Sequence, residues 1–214
     1  MKHRIVLADD HEIVLDGLRR ILEPEFEIVA RVADGRALIG EIERLKPEVA
    51  VADISMPLLN GLDALRQCQS AHFRTRFVFL TASPDVGLAT QAFRLGASGY
   101  VLKDAAAEEL VVAMREALAG RTYITPRIAN EVLQNLMSHP SEDAKDGIGL
   151  TGREREVLQL VAEGKIIKEI AAVLNVSPRT VEFHKNNIVA KTGLRTTAEL
   201  ARYAARHGLV SESS

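Results

Sequence analysis

Val49-Ala50-Val51-Ala52-Asp53-Ile54-Ser55-Met56-Pro57 is the stretch that decides the fold. Its first four residues are small, apolar and partly β-branched, and turn signals bound the run. That pattern predicts a short strand buried on both faces, at the centre of a parallel sheet. The run ends on a carboxylate, and Pro57 and Asn60-Gly61 follow. Asp53 is therefore expected at the carboxyl end of a central strand, where open α/β sheets place their ligands. A carboxylate there can bind a cation, act as a base or act as a nucleophile.

Strands and helices alternate outward from this run. Arg4–Ala8 predicts a buried strand ending on Asp9-Asp10, followed by a helix to Leu22 with Ile13, Val14, Leu18, Ile21 and Leu22 at helical spacing. Phe26–Val32 is strand-like, and Asp34-Gly35 turns it into a helix closed by Pro47. After the Asp53 strand come a helix over 62–70, the buried strand Phe77–Leu80 ending on Thr81, and a helix over 86–95. Gly99–Leu102 ends on Lys103, and a last helix over 108–119 stops at Gly120. This alternation predicts an α/β class, a five-stranded doubly wound parallel sheet with helices on both faces. The frequent order 2-1-3-4-5 sets strands one and three side by side.

That order carries the chemistry. Asp9 and Asp10 then flank Asp53, and Thr81 and Lys103 close the same edge. A lone aspartate ending a strand is commonplace, but five suitable residues at four strand ends point to a site. Three carboxylates in a small volume need a cation. A hard divalent ion with oxygen ligands, Mg²⁺ above all, suits an incompletely caged site that keeps several waters. One carboxylate remains available as a nucleophile, as in aspartyl-phosphate chemistry. The Lys103 ammonium and the Thr81 hydroxyl suit phosphoryl oxygens.

Composition is ordinary for a globular protein, at 47% apolar and 26% charged. The single cysteine, Cys68, excludes an internal disulfide framework and thiolate zinc fingers. No apolar run approaches a membrane span and no signal peptide is evident, so a cytoplasmic protein is expected. The net charge of −2 hides an asymmetry. Residues 150–214 hold 10 Lys and Arg against 7 Asp and Glu, whereas residues 1–149 hold 17 against 22. The basic half is the one to examine for nucleic acid.

Residues 127–137 predict a short amphipathic helix, and the polar stretch 138–147, with Pro140 and Gly147, a flexible linker. Thr151-Gly152-Arg153-Glu154 is a capping box opening a helix that buries Val157, Leu158, Leu160 and Val161. A helix over 168–174 and the turn Asn175-Val176 follow. Ser177-Pro178 then supplies an N-cap with Pro at the first helical position, and Gly193 ends the next helix. Thr196 or Thr197 caps a final helix. Two short helices and a tight turn leading into a capped longer helix form a helix-turn-helix. In the 178–192 helix, Val181, His184, Ile188 and Thr192 face the core, with His184 read as packed and hydrogen-bonded rather than metal-binding. Glu182, Phe183, Asn186 and Asn187 point elsewhere. Asn reads adenine, Glu accepts from cytosine and Phe touches a thymine methyl. Thr180, Lys185 and Lys191 are placed for phosphates.

Residues 1 to about 122 resemble the receiver domain of bacterial two-component response regulators, on Asp9-Asp10, Asp53 with Met56-Pro57, Asn60-Gly61, Thr81-Ala82 and Tyr100-Val101-Leu102-Lys103. The resemblance implies a flavodoxin-like fold with Asp53 as phosphoacceptor. It implies Mg²⁺ on Asp10, Asp53 and the Ser55 carbonyl, with Asp9 reaching the metal mainly through water. Thr81 and Tyr100 resemble the family's switch pair. Lys103 is followed by Asp104 where many receivers carry Pro. Leu150–Leu158, Gly164-Lys165, Lys168–Ala171 and Thr180–Lys185 resemble the LuxR-type domain of NarL/FixJ regulators, over about 148–210. Gly152 stands for a usual Pro, Thr192 for a usual Leu, and Ile166-Ile167 for polar residues that commonly cap the second helix and touch phosphate.

The expected organisation is a receiver domain over 1–122, a linker helix and flexible linker over 123–149, and a DNA-binding domain over 150–210. The expected function is a transcriptional regulator, not an enzyme beyond its own phosphorylation and dephosphorylation. A sensor histidine kinase phosphorylates it, and a homodimer binds promoter DNA. One alternative is a regulator that dimerises on DNA without phosphorylation. A rival of another class is a Mg²⁺-dependent phosphatase with an aspartyl-phosphate intermediate, which needs an Asp-x-Asp after strand one that this chain lacks.

Overall fold

In the computed structural model, which describes residues 2–105, 107–138 and 149–210, the chain divides into two compact units. They are Met1–Met56 with Asn60–Ala144, and Lys145–Ser214 with Pro57–Leu59.

The first unit runs β1 (His3–Ala8), α1 (Glu12–Leu22), β2 (Phe26–Val32), α2 (Gly35–Leu45), β3 (Val49–Ala52), α3 (Gly61–Ser70), β4 (Arg76–Thr81), α4 (Val86–Arg94), β5 (Gly99–Leu102), α5 (Ala107–Leu118), β6 (Tyr123–Ile124) and α6 (Pro126–Ser138). All strand pairs are parallel, in the order β2-β1-β3-β4-β5-β6. The central position of β3 and the neighbouring of β1 and β3 agree with the sequence reading. Alternate strand residues face opposite sides of a sheet. Ile5, Leu7, Val49, Val51, Val78, Leu80 and Val101 pack with Leu15, Leu18 and Leu22 of α1 and Leu110, Ala113, Met114 and Ala117 of α5. Residues of the other parity, Phe77, Phe79 and Tyr100, are fully buried as well, so both faces are covered.

Three details differ from expectation. The sheet has six strands rather than five, because Tyr123–Ile124 adds to β5. A two-residue strand has no periodicity to read, and here it lies between Gly120 and Pro126. The segment expected to be linker helix thus begins with a sheet strand, and α6 packs on α4 with Ile128 and Val132 buried. On α1 the inward residue is Leu15, while Ile13 is exposed. The expected linker residues 139–148 lie outside the described residues.

The second unit comprises α7 (Gly152–Ala162), α8 (Ile167–Leu174), α9 (Pro178–Thr192) and α10 (Thr197–Arg206). Its core joins Leu150, Val157, Leu158, Leu160 and Val161 to Ile170, Ala171, Leu174, Val181, Ile188, Leu200, Ala204 and Leu209. The capping box at Thr151 forms in both directions: Glu154 N donates to Thr151 Oγ1 at 3.2 Å and Thr151 N to Glu154 Oε2 at 2.8 Å. Ser177 caps α9, accepting from Thr180 N at 3.1 Å, with Pro178 at the first helical position. Gly193 closes α9 with φ of 73°, a conformation glycine adopts without steric cost. Thr196, not Thr197, caps α10. On α10, Ala204 is core and Tyr203 is half-buried, its ring 4.2 Å from that of His207.

Candidate functional site

β1 and β3 pair with Ala8 opposite Ala52, so the residues that follow, Asp9 and Asp53, emerge side by side. Backbone bonds fix both: Asp9 N donates to Val32 O at 3.1 Å and Asp53 N to Ala8 O at 2.9 Å. Both residues are buried, at 1% and 6% exposed, whereas Asp10 is exposed. β5 delivers Lys103, whose N–H donates to Thr81 O at 2.8 Å. The Lys103 ammonium lies 2.6 Å from Asp53 Oδ2 and 2.7 Å from Asp9 Oδ2. Thr81, at the end of β4, is buried, and its Oγ1 accepts from Ser83 N at 3.2 Å, which leaves the hydroxyl proton for another acceptor. Asp53 Oδ1 accepts only the long bond from Ser55 N at 3.3 Å among the described residues.

Burial pushes the Asp53 carboxyl above its ordinary range; Lys103 opposes the rise and Asp9 adds to it. Burial works against the Lys103 ammonium, but the Asp53 and Asp9 carboxylates outweigh it and the net shift is upward. Lys103 thus stays cationic between two aspartates in a partly dry crevice, where a fixed ammonium interacts strongly with oxygen ligands.

The loop after β3 is held close. Gly61 N donates to Ile54 O at 2.8 Å, and Asn60 caps α3 by accepting from Asp63 N at 2.9 Å. A Cβ on Gly61 would lie 2.3 Å from Asp53 O and 2.9 Å from Phe79 Cε1. The Asn60-Gly61 signal thus marks a close backbone approach to Asp53, a role the sequence did not give. Sequence reasoning also passed over His11. Its ring Nδ1 lies 2.8 Å from Asp10 Oδ1 and 3.2 Å from Asp9 Oδ1. Its position directly after two aspartates was the available signal. Asp9, Asp10 and His11 are the described residues whose ligand atoms cluster tightly enough for a metal; Asp53 stands just outside that group, bonded to Lys103.

Tyr100 is fully buried, its hydroxyl donating to Ser83 O at 3.0 Å. Thr81 and Tyr100 therefore meet on one residue, Ser83, through its N–H and its carbonyl. The Tyr100 ring lies inward, with the residue 0% exposed.

On α9, Glu182, Phe183 and Asn186 are exposed, with Phe183 at 61%, and Thr180, Lys185 and Asn187 are half-exposed. Thr180 Oγ1 also shares a 2.8 Å bond with Ser177 Oγ. Lys191, although exposed, reaches back to α7: its ammonium lies 2.6 Å from Glu154 Oε2 and 3.2 Å from Gly149 O. Val181 and Ile188 are buried as expected. His184 is half-buried against the Phe183 ring, and its Nδ1 has no hydrogen-bond partner among the described residues, where the sequence reading expected a hydrogen-bonded histidine. Ile166 precedes α8 without a side-chain cap and is 62% exposed; Glu169 caps its amide instead, at 2.9 Å.

A parallel sheet whose carboxyl edge gathers these carboxylates around one lysine, joined in sequence to a helix-turn-helix, defines a receiver-type signalling protein with a DNA-binding output unit. Comparison with known proteins agrees. Residues 5–115 match the response regulator receiver domain, and residues 149–204 match bacterial regulatory proteins of the luxR family. The chain is 38% identical over 213 residues to the transcriptional regulatory protein MctR of Rhizobium johnstonii, covering 99% of this chain and 97% of that protein. It is 36% identical over 214 residues to the oxygen regulatory protein NreC of Staphylococcus aureus, covering 97% and 99%. Among solved structures, RcsB of Salmonella enterica serovar Typhimurium, bound to promoter P1flhDC with the phosphomimetic BeF₃⁻, is 27% identical with a TM-score of 0.61, covering 96% of this chain and 100% of that one. The chain belongs to the two-component response regulators of the NarL/FixJ type. No described helix is long and apolar enough to cross a membrane.

Proposed function

We propose that Asp53 is the phosphoacceptor and that its phosphorylation by a sensor histidine kinase controls binding of a homodimer to promoter DNA. The observation that carries this is the Lys103 ammonium held within 2.7 Å of both Asp9 and Asp53, beside the buried Thr81 hydroxyl. An Asp53 carboxylate oxygen attacks phosphorus of the kinase phosphohistidine. The new O–P bond forms as the P–N bond breaks, and the electron pair leaves with the imidazole. Lys103 binds one phosphoryl oxygen and Thr81 donates to another. Hydrolysis returns the carboxylate and inorganic phosphate.

The donor set fits Mg²⁺. Asp10, Asp53 and the Ser55 carbonyl would hold it, with Asp9 behind them, because hard oxygen ligands in an open site suit that ion. When bound, it would offset charge on the transferring phosphoryl group. Thr180, Glu182, Phe183, Lys185, Asn186 and Asn187 are the proposed DNA-contacting residues. Lys191, also expected at the phosphates, is the weakest further candidate because its ammonium is bonded to Glu154. The proposed domain limits remain 1–122 and 150–210.

Acetyl phosphate with Mg²⁺ is expected to add one phosphoryl group to the wild-type chain and none to Asp53→Ala, read by intact-mass spectrometry. Undiminished labelling of the variant would move the phosphoacceptor elsewhere.

A further inference from the structure

β6 pairs with β5 over only two residues, Tyr123 opposite Gly99 and Ile124 opposite Tyr100. The ladder extends one step further, where Thr125 N donates to Tyr100 O at 3.0 Å. The next parallel rung would join the Leu102 amide to the Thr125 carbonyl. The chain instead turns into α6 at Pro126, and the Thr125 hydroxyl takes the carbonyl's place. Its Oγ1 accepts from Leu102 N at 3.2 Å and donates to Glu109 Oε2 at 3.2 Å. The same Glu109 oxygen accepts from Tyr123 OH at 3.1 Å. Thr125 is buried. The residue it holds, Leu102, is the one before Lys103, and Lys103 N is held from the opposite side by Thr81 O. The backbone that carries the active-site ammonium is therefore gripped between β4 and a single side chain of the segment after α5.

We infer that Thr125, backed by Glu109, is a positioning residue for Lys103, so that docking of β6 and α6 sets the rate of phosphoryl transfer. The inference rests on Asp53 being the phosphoacceptor. Removing the hydroxyl leaves a buried amide without an acceptor, which favours movement of the 102–103 backbone. Lys103 works at 2.6 and 2.7 Å from two carboxylates, and catalytic groups lose rate steeply with small displacements. The Arg127–Asp104 ion pair at 2.7 Å ties α6 to the residue after Lys103 as well, but in an exposed setting that adds little.

The test uses the full chain with acetyl phosphate and varied Mg²⁺, following phosphorylation of Asp53 by intact mass. Thr125→Val keeps the shape and removes the hydroxyl. It should lower the maximal rate about three- to tenfold. Half-saturating Mg²⁺ should change less than the maximal rate, because Asp9, Asp10 and Asp53 are carried by β1 and β3, which Thr125 does not hold. Thr125→Ser should restore the rate to within about twofold. Glu109→Ala, which leaves Leu102 its acceptor but frees the hydroxyl to turn, should fall between them. This variant carries the test if Thr125→Val does not fold. Wild-type rates for both Thr125→Val and Glu109→Ala, or a serine variant as slow as the valine one, would overturn the inference. So would an effect confined to Mg²⁺ affinity. A wild-type chain that gains no phosphoryl group at Asp53 would overturn the phosphoacceptor reading, and this inference with it.

Discussion

Gly61 has no side chain because Asp53 leaves no room for one. The 2.3 Å approach of a hypothetical Cβ to the Asp53 carbonyl is relieved only by moving the backbone that carries the Asp53 carboxylate. Gly61→Ala is therefore expected to cost about 1–3 kcal/mol of stability, measured by denaturant titration, and to slow phosphorylation by acetyl phosphate. The lysines of α9 divide in the same concrete way. Lys191 is bonded to Glu154, so Lys191→Met should lower stability by about 1 kcal/mol and leave the salt dependence of DNA binding nearly unchanged. Lys185 has no bonded carboxylate among the described residues, and Lys185→Ala should flatten the log–log salt slope by about 0.9 for each phosphate it no longer neutralises. A similar flattening for Lys191→Met would return that residue to the DNA surface. The carboxyl-edge residues were legible in the sequence because each ends a continuous apolar run. The ion pair of Lys191 was not. It depends on Glu154, thirty-seven positions away, whose own reading as a capping residue was complete without a cation.

At the level of elements, α7 shows how capping and burial combine. Glu154 caps the helix and also receives Lys191, while residues 154–161 are all buried. Burial alone would raise the Glu154 carboxyl, but the bonds from Lys191 and Thr151 outweigh it, so its pKa lies below the ordinary 4.5. A carboxyl depressed on folding contributes stability that is present above its unfolded value and lost as pH falls through the folded one. Thermal melts of wild type should thus drop more steeply below about pH 4.5 than those of Glu154→Gln. At pH 7 the glutamine variant should be less stable by about 1–2 kcal/mol. Parallel pH profiles for the two proteins would show that the Glu154 charge contributes nothing. Most elements were readable, for a physical reason: caps and breakers at Asp34, Asn60, Ser177 and Gly193 are local signals. Two were not. On α1 the helical spacing admits either Ile13 or Leu15 as the inward residue, and only the position of the sheet decides. β6 has no pattern of its own; it exists because the exposed edge of β5 offers partners.

For the whole molecule, the composition of two units, one acidic and one basic, was evident from charge alone, while what joins them carried only the signal of a polar, Pro- and Gly-containing stretch. A helix-turn-helix with few base contacts and a small positive charge gains specificity by acting in pairs on half-sites one helical turn apart, ~34 Å. Inserting about five base pairs, half a turn, between half-sites should abolish tight binding of the phosphorylated chain, and about ten should restore it. Gel shifts at one fixed salt concentration test this; indifference to spacing would mean that single copies suffice. The two margins of the sheet have a separate consequence. β2 carries an extra residue, Val29, where its register against β1 slips between Ile5 and Val6, and it displays Glu27 and Arg31. β6 stops after two residues at Thr125-Pro126, and proline has no amide hydrogen to offer. A bulged, charged margin on one side and a truncated one on the other give a stray extended chain little to zip onto. The sheet is thereby shielded from the commonest route by which sheets recruit one another into fibrils.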